Sequence, residues 1–302
     1  MSGNPGDRLK PATGRVETFA TATTVEDAVA AIAAGARPVA GGTDLVVGAR
    51  SGKSTLPASI VAIHRVAELH GIESLDDGGL RLGALASHAE IAASEPVRQR
   101  FTALTDACAI VGSHATRAQG TVGGNLMNAS PAMETGGPLI CFGGVATLRS
   151  AAGERTIALD DFFTGPGQTV AEPGELLIAV HLPAPAAGTG SAYVRLEYRR
   201  QMEIAVVGAT AVVTVADGRV THARVAMTAL APTIRRVHEA EAALVGSDGG
   251  AGAIEAAGAA VAAAAEPISD VRGSAGYRRA MAAVITRRAI ERALSRARGE
   301  AS

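Results

Sequence analysis

Two glycine-rich segments, residues 39–45 and residues 120–131, have the composition best suited to hold a phosphate-bearing ligand. Consecutive glycines lack side chains, so backbone N–H groups can converge on an anion. Thr43, Thr121 and Asn125 add short hydrogen-bonding side chains within these segments. A diphosphate requires this combination of close backbone approach, several donors and little bulk. A single Gly-Gly pair usually marks an ordinary tight turn, but two such segments together favour a binding function.

Neither segment matches the common nucleotide-binding motifs. Residues 48–55 approach the P-loop pattern G-x-x-x-x-G-K-[ST], but Gly48 is one residue too close and Val47 stands at the required position. Gly41 and Gly42 are adjacent rather than alternate, so they do not form the G-x-G-x-x-G fingerprint of a Rossmann unit. A dinucleotide would therefore be bound in another manner.

Other chemistries have little support in the sequence. No H-E-x-x-H or G-x-S-x-G motif occurs, and the seven histidines are scattered singly, as structural or solvated histidines are. Cys108 and Cys141 are too few for an iron–sulfur cluster, which takes four thiolates, and we expect both to be buried as small hydrophobic side chains. The acidic pairs at 76–77 and 160–161 are typical of turns.

The elements that must position these segments predict an α+β fold in two domains. The 302 residues suffice for two domains, and a Pro- and Gly-rich stretch at 183–190 favours a boundary near residue 187. In the first part a helix between two β-rich runs indicates a small βαβ unit, followed by shorter alternating segments. We predict helices at 24–34, 87–93 and 96–111 and strands at 37–40, 59–63, 145–149, 154–158 and 175–182, while 44–50 could be a helix or an extended piece.

The second part predicts a β-hairpin followed by helices. The runs 209–216 and 220–229 are joined by Asp217-Gly218, a strong hairpin signal. From residue 233 to the end the pattern is helical and finishes in an arginine-rich helix at 277–298, which could be a solvated face or a subunit contact. We therefore expect an antiparallel sheet covered by helices.

Composition narrows the class of protein further. The formal net charge of −1 gives no electrostatic reason to expect a nucleic-acid partner. No run of about 18 apolar residues occurs, so no membrane span is expected. Residues 1–14 are polar and lack the apolar core of a secretory signal. We therefore expect a cytoplasmic protein.

Four signatures, in order along the chain, resemble the medium, FAD-binding subunit of the molybdenum hydroxylases, the family that includes carbon monoxide dehydrogenase and xanthine dehydrogenase. They are A-G-G-T-D-L at 40–45, the stretch from V-G-S at 111–113 through Arg117 and G-T-V-G-G-N at 120–125 to A-S-P at 129–131, F-F-T-G-P at 162–166, and R-R-Q-M-E-I-A at 199–205.

The resemblance covers nearly the whole chain and implies a fold. It implies a PCMH-type FAD-binding domain over 1–187, whose subdomains, about 15–64 and 65–187, hold the cofactor between them. A domain similar to the C-terminal domain of the carbon monoxide dehydrogenase flavoprotein would follow over 188–302.

The resemblance also implies which residues contact FAD. The first segment would wrap the diphosphate, Thr121, Gly124 and Asn125 would meet it from the other side, and further positions would line the adenosine and ring regions. Glu134 stands where the family usually has Asp, facing the adenine ribose, and Arg195 stands where Lys is frequent, near the flavin ring. The implied cofactor-binding residues are Pro38, Val39, Ala40, Gly41, Gly42, Thr43, Asp44, Leu45, Val111, Gly112, Thr121, Gly124, Asn125, Met127, Glu134, Leu177 and Arg195.

The implied function is electron transfer rather than substrate chemistry. In this family hydroxylation occurs at a molybdenum cofactor on a large subunit, and electrons pass through [2Fe-2S] clusters on a small subunit to the FAD and then to an external acceptor. The resemblance thus implies both partners, assembled as a dimer of heterotrimers. Two alternatives stay open at this point: a stand-alone flavin-dependent oxidoreductase with a related FAD domain, and a scaffold that has lost FAD.

Overall fold

The computed structural model describes residues 14–300. The prediction that residues 1–14 do not form a secretory signal falls almost wholly outside this range. The chain opens with a three-stranded parallel sheet of order β1-β3-β2, in which α2 connects β2 to β3. This confirms the βαβ unit and shows that residues 44–50 are helical. The elements are β1 (Thr18–Thr21), α1 (Val25–Ala33), β2 (Arg37–Val39), α2 (Thr43–Ser51) and β3 (Ser59–Ala62).

Local capping explains where α1 begins. The Thr24 side chain accepts a hydrogen bond from the Asp27 backbone N–H at 3.1 Å, and two acidic residues occupy the first turn, where the helix dipole favours negative charge. Val25, Ala28 and Val29 are buried against the sheet in a core that also contains Val61. This small layer places the carboxyl ends of β2 and β3 at one edge.

A five-stranded antiparallel sheet of order β4-β5-β10-β6-β7 forms the second layer. The predicted hairpin at 145–158 and the strand at 175–182 are confirmed. Asp77 accepts a hydrogen bond from the Gly79 backbone N–H at 2.8 Å, as expected for turn chemistry. The strands are β4 (Ile72–Ser74), β5 (Leu80–Gly83), β6 (Val145–Ser150), β7 (Gly153–Ala158) and β10 (Leu176–Leu182), and a separate short pair is β8 (Phe163–Gly165) with β9 (Gln168–Thr169).

Six helices lie between β5 and β6, and they correct one prediction. The single helix expected at 96–111 is two helices that meet at Phe101, whose backbone leaves the helical region at φ −121° and ψ 49°. The break lets the fully buried Phe101 ring pack edge-to-face on Phe142, with the ring centroids 4.8 Å apart. The helices are α3 (His88–Ala93), α4 (Glu95–Arg100), α5 (Thr102–Ile110), α6 (His114–Gln119), α7 (Val122–Asn128) and α8 (Gly136–Cys141).

The last part of the chain is a four-stranded antiparallel sheet of order β11-β12-β13-β14 with three helices on one face. The hairpin at Asp217-Gly218 is confirmed, since both residues have positive φ, as a type I′ turn requires. The elements are β11 (Thr189–Leu196), β12 (Val207–Ala216), β13 (Arg219–Thr228), β14 (Arg235–Arg236), α9 (His238–Leu244), α10 (Ala251–Ala264) and α11 (Ala275–Ala297).

Two predictions for this part were wrong in detail. The pattern from residue 233 onward is not wholly helical, because Arg235–Arg236 pairs with β13 as an edge strand before α9 begins. The stretch expected to be a linker ends early, since Thr189 already belongs to β11. The remaining face of this sheet packs on the preceding helices, with Tyr193, Val212 and Ala226 in the same core as Leu139.

Most arginines of α11 contact other parts of the same chain. Arg278 is buried and donates to the Val206 carbonyl and to Asp270, each at 2.7 Å. Arg296 donates to both carboxylate oxygens of Asp106, at 2.7 and 3.0 Å. At these positions the helix is neither a plain solvated face nor free for a subunit contact.

Candidate cofactor-binding site

The first glycine-rich segment forms the turn between β2 and α2. Gly42 precedes α2 with φ +68°, a left-handed conformation that glycine adopts without strain. Within residues 14–300 no acceptor takes the backbone N–H groups of residues 41–45, which lie at the turn and at the start of the helix. Because the positive end of the helix dipole lies there too, this turn is suited to bind an anion.

The near-P-loop at residues 48–55 lies at the opposite end of α2. Gly52 ends the helix with φ +74°, and the backbone N–H groups of Lys53 and Ser54 both donate to the Gly48 carbonyl. The segment therefore presents the carboxyl end of a helix, where a phosphate is disfavoured. The exclusion of a P-loop stands on geometry as well as on spacing.

The two glycine-rich segments touch each other through their backbones. A Cβ atom built on Gly41 would lie 1.8 Å from the Gln119 carbonyl oxygen and 3.2 Å from the Gly120 nitrogen. No side chain larger than hydrogen fits at this crossing. The turn after β2 and the junction between α6 and α7 are thus held face to face.

A cleft of about 420 Å³ opens where these segments meet. The first segment contributes Ala40 and Gly41, and the second contributes Thr121 together with Gln119 just before it. The other lining residues follow β3 and β5, precede β4, or belong to α3 with its N-cap and to α6; they are His64, His70, Leu85, Ser87, Ala89, Glu90 and Ala118. A single cleft is therefore shared by both segments, as a ligand gripped between them requires.

The second segment differs from the cradle of free N–H groups that we expected. The N–H groups of Val122 and Gly123 donate to the carbonyls of Ala86 and Ala84, each at 2.9 Å. Those of Gly124 and Asn125 donate to the Thr121 side chain and carbonyl, at 3.0 and 2.9 Å. The first segment thus offers backbone donors, and the second offers side chains.

A buried histidine, His88, is hydrogen-bonded to the second glycine-rich segment. The His88 backbone N–H donates to the Gly120 carbonyl at 3.1 Å, and the ring lies close to Gly120 and to Cys108. Burial lowers the pKa of His88 to about 4, and the nearby Arg117 cation contributes a smaller part of this shift. The ring is therefore neutral near pH 7. Burial also raises the pKa of the Cys108 thiol, and both cysteines are buried, as predicted.

Val111 and Gly112 lie at the junction of α5 and α6, under a loop from the C-terminal part of the chain. Arg117 donates to the Val111 carbonyl at 3.0 Å, and the Met202 backbone N–H donates to the Gly112 carbonyl at 2.9 Å. The R-R-Q-M-E-I-A signature therefore meets the V-G-S signature in space. Met127 is half-buried on α7.

Leu177 lies in the core rather than at the cleft surface. Only 3% of its surface is exposed, and it packs with Val122, Leu126 and Leu148 in the large central core. The cofactor contact that the resemblance implies for Leu177 stays a prediction.

Glu134 and Arg195 contact each other directly, although the resemblance assigned them to different parts of the cofactor. Their Oε1 and NH1 atoms are 2.6 Å apart and both side chains are buried. Glu197 lies 2.5 Å from the same guanidinium, so one cation serves two carboxylates. Burial raises the pKa of Glu134, although Arg195 opposes the shift, and burial raises the pKa of the nearby Tyr193 hydroxyl.

Sequence reasoning missed His64, His70 and Glu90 as cleft residues. His64 comes just after β3, and the His70 Nε2 atom lies 3.0 Å from the His64 carbonyl oxygen. The usable signal was topological, because ligands of α/β units bind at the carboxyl ends of parallel strands. It also missed Thr135, whose Oγ1 lies 2.6 Å from the Asn125 Oδ1 atom.

Residues 14–300 contain no group of three or more His, Cys, Asp or Glu side chains placed to bind a metal ion. Over the same residues, no helix combines the length and apolarity needed to cross a bilayer.

Two family descriptions match this chain. "FAD binding domain in molybdopterin dehydrogenase" matches residues 14–185, and "CO dehydrogenase flavoprotein C-terminal domain" matches residues 192–293. The chain therefore belongs to the FAD-binding subunits of the molybdenum hydroxylase family, and FAD is the cofactor of this family's domain.

Known relatives are similar to this chain over nearly its whole length. The chain is 32% identical to the carbon monoxide dehydrogenase medium chain of Afipia carboxidovorans, over 87% of this chain and 90% of that one. It is 32% identical to the 6-hydroxypseudooxynicotine dehydrogenase complex subunit alpha of Paenarthrobacter nicotinovorans, over 93% and 95%. It superposes on the reconstituted CO dehydrogenase from Oligotropha carboxidovorans with a TM-score of 0.90 at 30% identity, covering 94% and 99%.

Proposed function

We propose that this chain holds one FAD in the cleft between its two glycine-rich segments and acts as the electron-transfer subunit of a molybdenum-containing hydroxylase. Electrons would arrive from [2Fe-2S] clusters on a small partner and leave to an external acceptor. Substrate would be hydroxylated on a large molybdenum-cofactor partner. The main support for this proposal is the close backbone approach of Gly41 to residues 119–120. This approach brings the two glycine-rich segments to the same cleft.

The residues present suit a flavin dinucleotide. The free N–H groups of residues 41–45, at the positive end of α2, would receive the diphosphate, and Thr121 and Asn125 would contact it from α7. Bound FAD supplies the redox chemistry: it takes electrons singly and releases them in pairs, and the protein orients it and limits access to it. Among the residues that line the cleft, Glu90 is acidic and none is a lysine or arginine. The backbone donors would therefore be the main attraction for the diphosphate.

The assembly is part of the same proposal. Relatives named as subunits of carbon monoxide and 6-hydroxypseudooxynicotine dehydrogenases support a complex with other subunits. Within the proposal these partners are a large molybdenum-cofactor subunit and a small [2Fe-2S] subunit, assembled as a dimer of heterotrimers in the cytoplasm. Because those names carry different substrates, we place substrate choice on the large partner. We also keep the division of the chain near residue 187, with subdomains at about 15–64 and 65–187, as a proposal.

Replacing Thr43 with Glu tests the diphosphate position. Thr43 is the first residue of α2, where a negative side chain stabilises the helix through its dipole. The same charge would repel a diphosphate. We expect Thr43→Glu to weaken FAD binding at least about tenfold, as the loss of one charge interaction would, measured by titrating the flavin-free full chain with FAD.

Thr43→Gln is the matched control, because it has the same size without the charge. It should bind FAD much more tightly than Thr43→Glu, and the difference should shrink at high salt. The melting temperature of both flavin-free variants should equal or exceed that of the unmodified chain. Equal FAD affinity of the two variants would refute the proposed diphosphate position.

A further inference from the structure

Thr135 is a buried hydroxyl whose one side-chain partner belongs to the second glycine-rich segment. It precedes α8, its exposed fraction is 0%, and its Oγ1 atom is 2.6 Å from the Asn125 Oδ1 atom. This separation suits an O–H···O hydrogen bond, whereas N–H···O bonds usually span about 2.9–3.0 Å. The hydroxyl therefore donates and the amide oxygen accepts.

The reverse arrangement would leave a buried proton without an acceptor. If Thr135 accepted from the Asn125 amide nitrogen, its own O–H would have to find another acceptor. No other side-chain hydrogen bond of Thr135 exists within residues 14–300. A buried unsatisfied donor is costly, so Thr135 fixes which end of the amide points inward.

Fixing the amide oxygen leaves the amide nitrogen directed away from the core. Asn125 is half-buried, and its Nδ2 atom has no protein acceptor within the described residues. It lies one helical turn beyond Thr121, which lines the cleft, so the two side chains share a face of α7. Asn125 thus offers two N–H donors beside the cleft.

The position of Thr135 is itself held from the C-terminal sheet. Its neighbour Glu134 forms the buried ion pair with Arg195 on β11, with 2.6 Å between the charged atoms. The Thr135 carbonyl accepts from the Leu139 N–H at 3.1 Å, which starts α8. The hydroxyl is therefore anchored on both sides before any ligand arrives.

We infer that Thr135 is a positioning residue that holds the Asn125 amide with its N–H donors toward the acceptor oxygens of FAD. The inference rests on the proposed FAD cleft. Without the hydroxyl, the amide can turn by 180° and present its oxygen, which would repel the acceptor atoms of the cofactor. Thr135 would then act on affinity through Asn125 and not by contact.

The test compares FAD titrations of the flavin-free full chain and four variants. Thr135→Val keeps the shape and removes the donor, and we expect about tenfold weaker FAD binding, the loss typical of one hydrogen bond. Thr135→Ser keeps the donor and should restore the affinity of the unmodified chain. Asn125→Ala should also bind weakly, and Thr135→Val added to Asn125→Ala should cause no further loss.

The outcomes separate the two claims. If the unmodified chain does not bind FAD, the proposed function fails. If it binds and Thr135→Val binds equally well, or weakens binding equally in the Asn125→Ala background, the positioning role is overturned. Should Thr135→Val not fold, Asn125→Asp replaces it: this change keeps an acceptor for Thr135 but removes both N–H donors, and FAD affinity equal to that of the unmodified chain would overturn the inference.

Discussion

Glu134 and Arg195 are buried and Glu197 is half-buried, so this cluster combines two carboxylates with one guanidinium. Only 1% of the Arg195 side chain is exposed, so solvent contributes little to balancing these charges. Removing one carboxylate leaves a balanced pair, whereas removing the guanidinium leaves two carboxylates without a cation. The energetic effects of the two changes should therefore differ strongly.

Arg195→Met should reduce the free energy of unfolding by about 3 kcal/mol at pH 7, because it leaves buried charge uncompensated. Burial already raises the pKa of Glu134, and loss of the cation raises it further. An acid with a raised folded-state pKa favours the folded state at low pH and loses that contribution as the pH rises. The deficit should thus shrink as the pH falls from 7 toward 5, in urea unfolding at each pH.

Glu134→Gln is the companion change. It removes one of the two carboxylates and keeps Arg195 paired with Glu197, so the free energy of unfolding should change by no more than about 1 kcal/mol. An equal loss in the two variants would show that the charges do not act as a group of three.

Single residues could be identified from the sequence, but their pairing could not. Glu134 and Arg195 stood out through motif likeness, yet they are 61 positions apart and meet only because β11 packs on the segment before α8. The burial of Cys108 and Cys141 was predicted from residue type alone. The pairing of Thr135 with Asn125 has no comparable local signal.

At the scale of elements, the cleft depends on two junctions that cross at Gly41. One junction joins β2 to α2, and the other joins α6 to α7. Only the glycine hydrogen fits between Cα of residue 41 and the Gln119 carbonyl. The separation of these junctions therefore sets the width of the proposed FAD cleft.

Gly41→Ala should force the junctions apart. Because the added Cβ would meet rigid backbone atoms, we expect weaker FAD binding by at least about tenfold and a loss of roughly 2 kcal/mol in the free energy of unfolding. Gly252→Ala is the control, since Gly252 is exposed on α10 with open space around it. It should leave FAD binding unchanged and stabilise the helix slightly. Unchanged FAD affinity in Gly41→Ala would contradict the crossing as the determinant of the cleft.

Elements with strong local signals were predicted well. The caps at Thr24 and Ser87 and the Asp217-Gly218 turn act over a few residues, so the helices and the hairpin that they define were identified. The break at Phe101 and the edge strand β14 depend on packing against distant partners. In the same way, the N–H groups of Val122 and Gly123 are already hydrogen-bonded to the carbonyls of Ala86 and Ala84. The sequence motif alone does not reveal these acceptors.

At the scale of the whole molecule, Asp106 joins three elements. Its carboxylate accepts from Arg296 on α11 at 2.7 and 3.0 Å and from the Tyr193 backbone N–H on β11 at 3.2 Å. Asp106 itself lies on α5. It therefore connects the C-terminal helix α11 and the strand β11 to α5 in the first domain.

Asp106→Asn should reduce the free energy of unfolding by about 2 kcal/mol, because partly buried charge-assisted hydrogen bonds are lost. Amide hydrogen exchange in α11 should also become faster. Glu255→Gln is the control, since it breaks another ion pair of α11, with Arg287, in which the Glu255 side chain is 64% exposed. That change should alter the free energy of unfolding by no more than about 0.5 kcal/mol. An equal effect of the two changes would argue against a stabilising connection through Asp106.

Within residues 14–300, the five backbone N–H groups of residues 41–45 have no protein acceptor. Water can satisfy them, whereas FAD at the proposed position would satisfy them and also hold the two halves of the cleft together. By mass action, free flavin at a hundred times its Kd adds about 2.7 kcal/mol to stability. A cell that synthesises the polypeptide faster than the vitamin-derived nucleotide would accumulate the less protected form, and proteolysis would remove that form first.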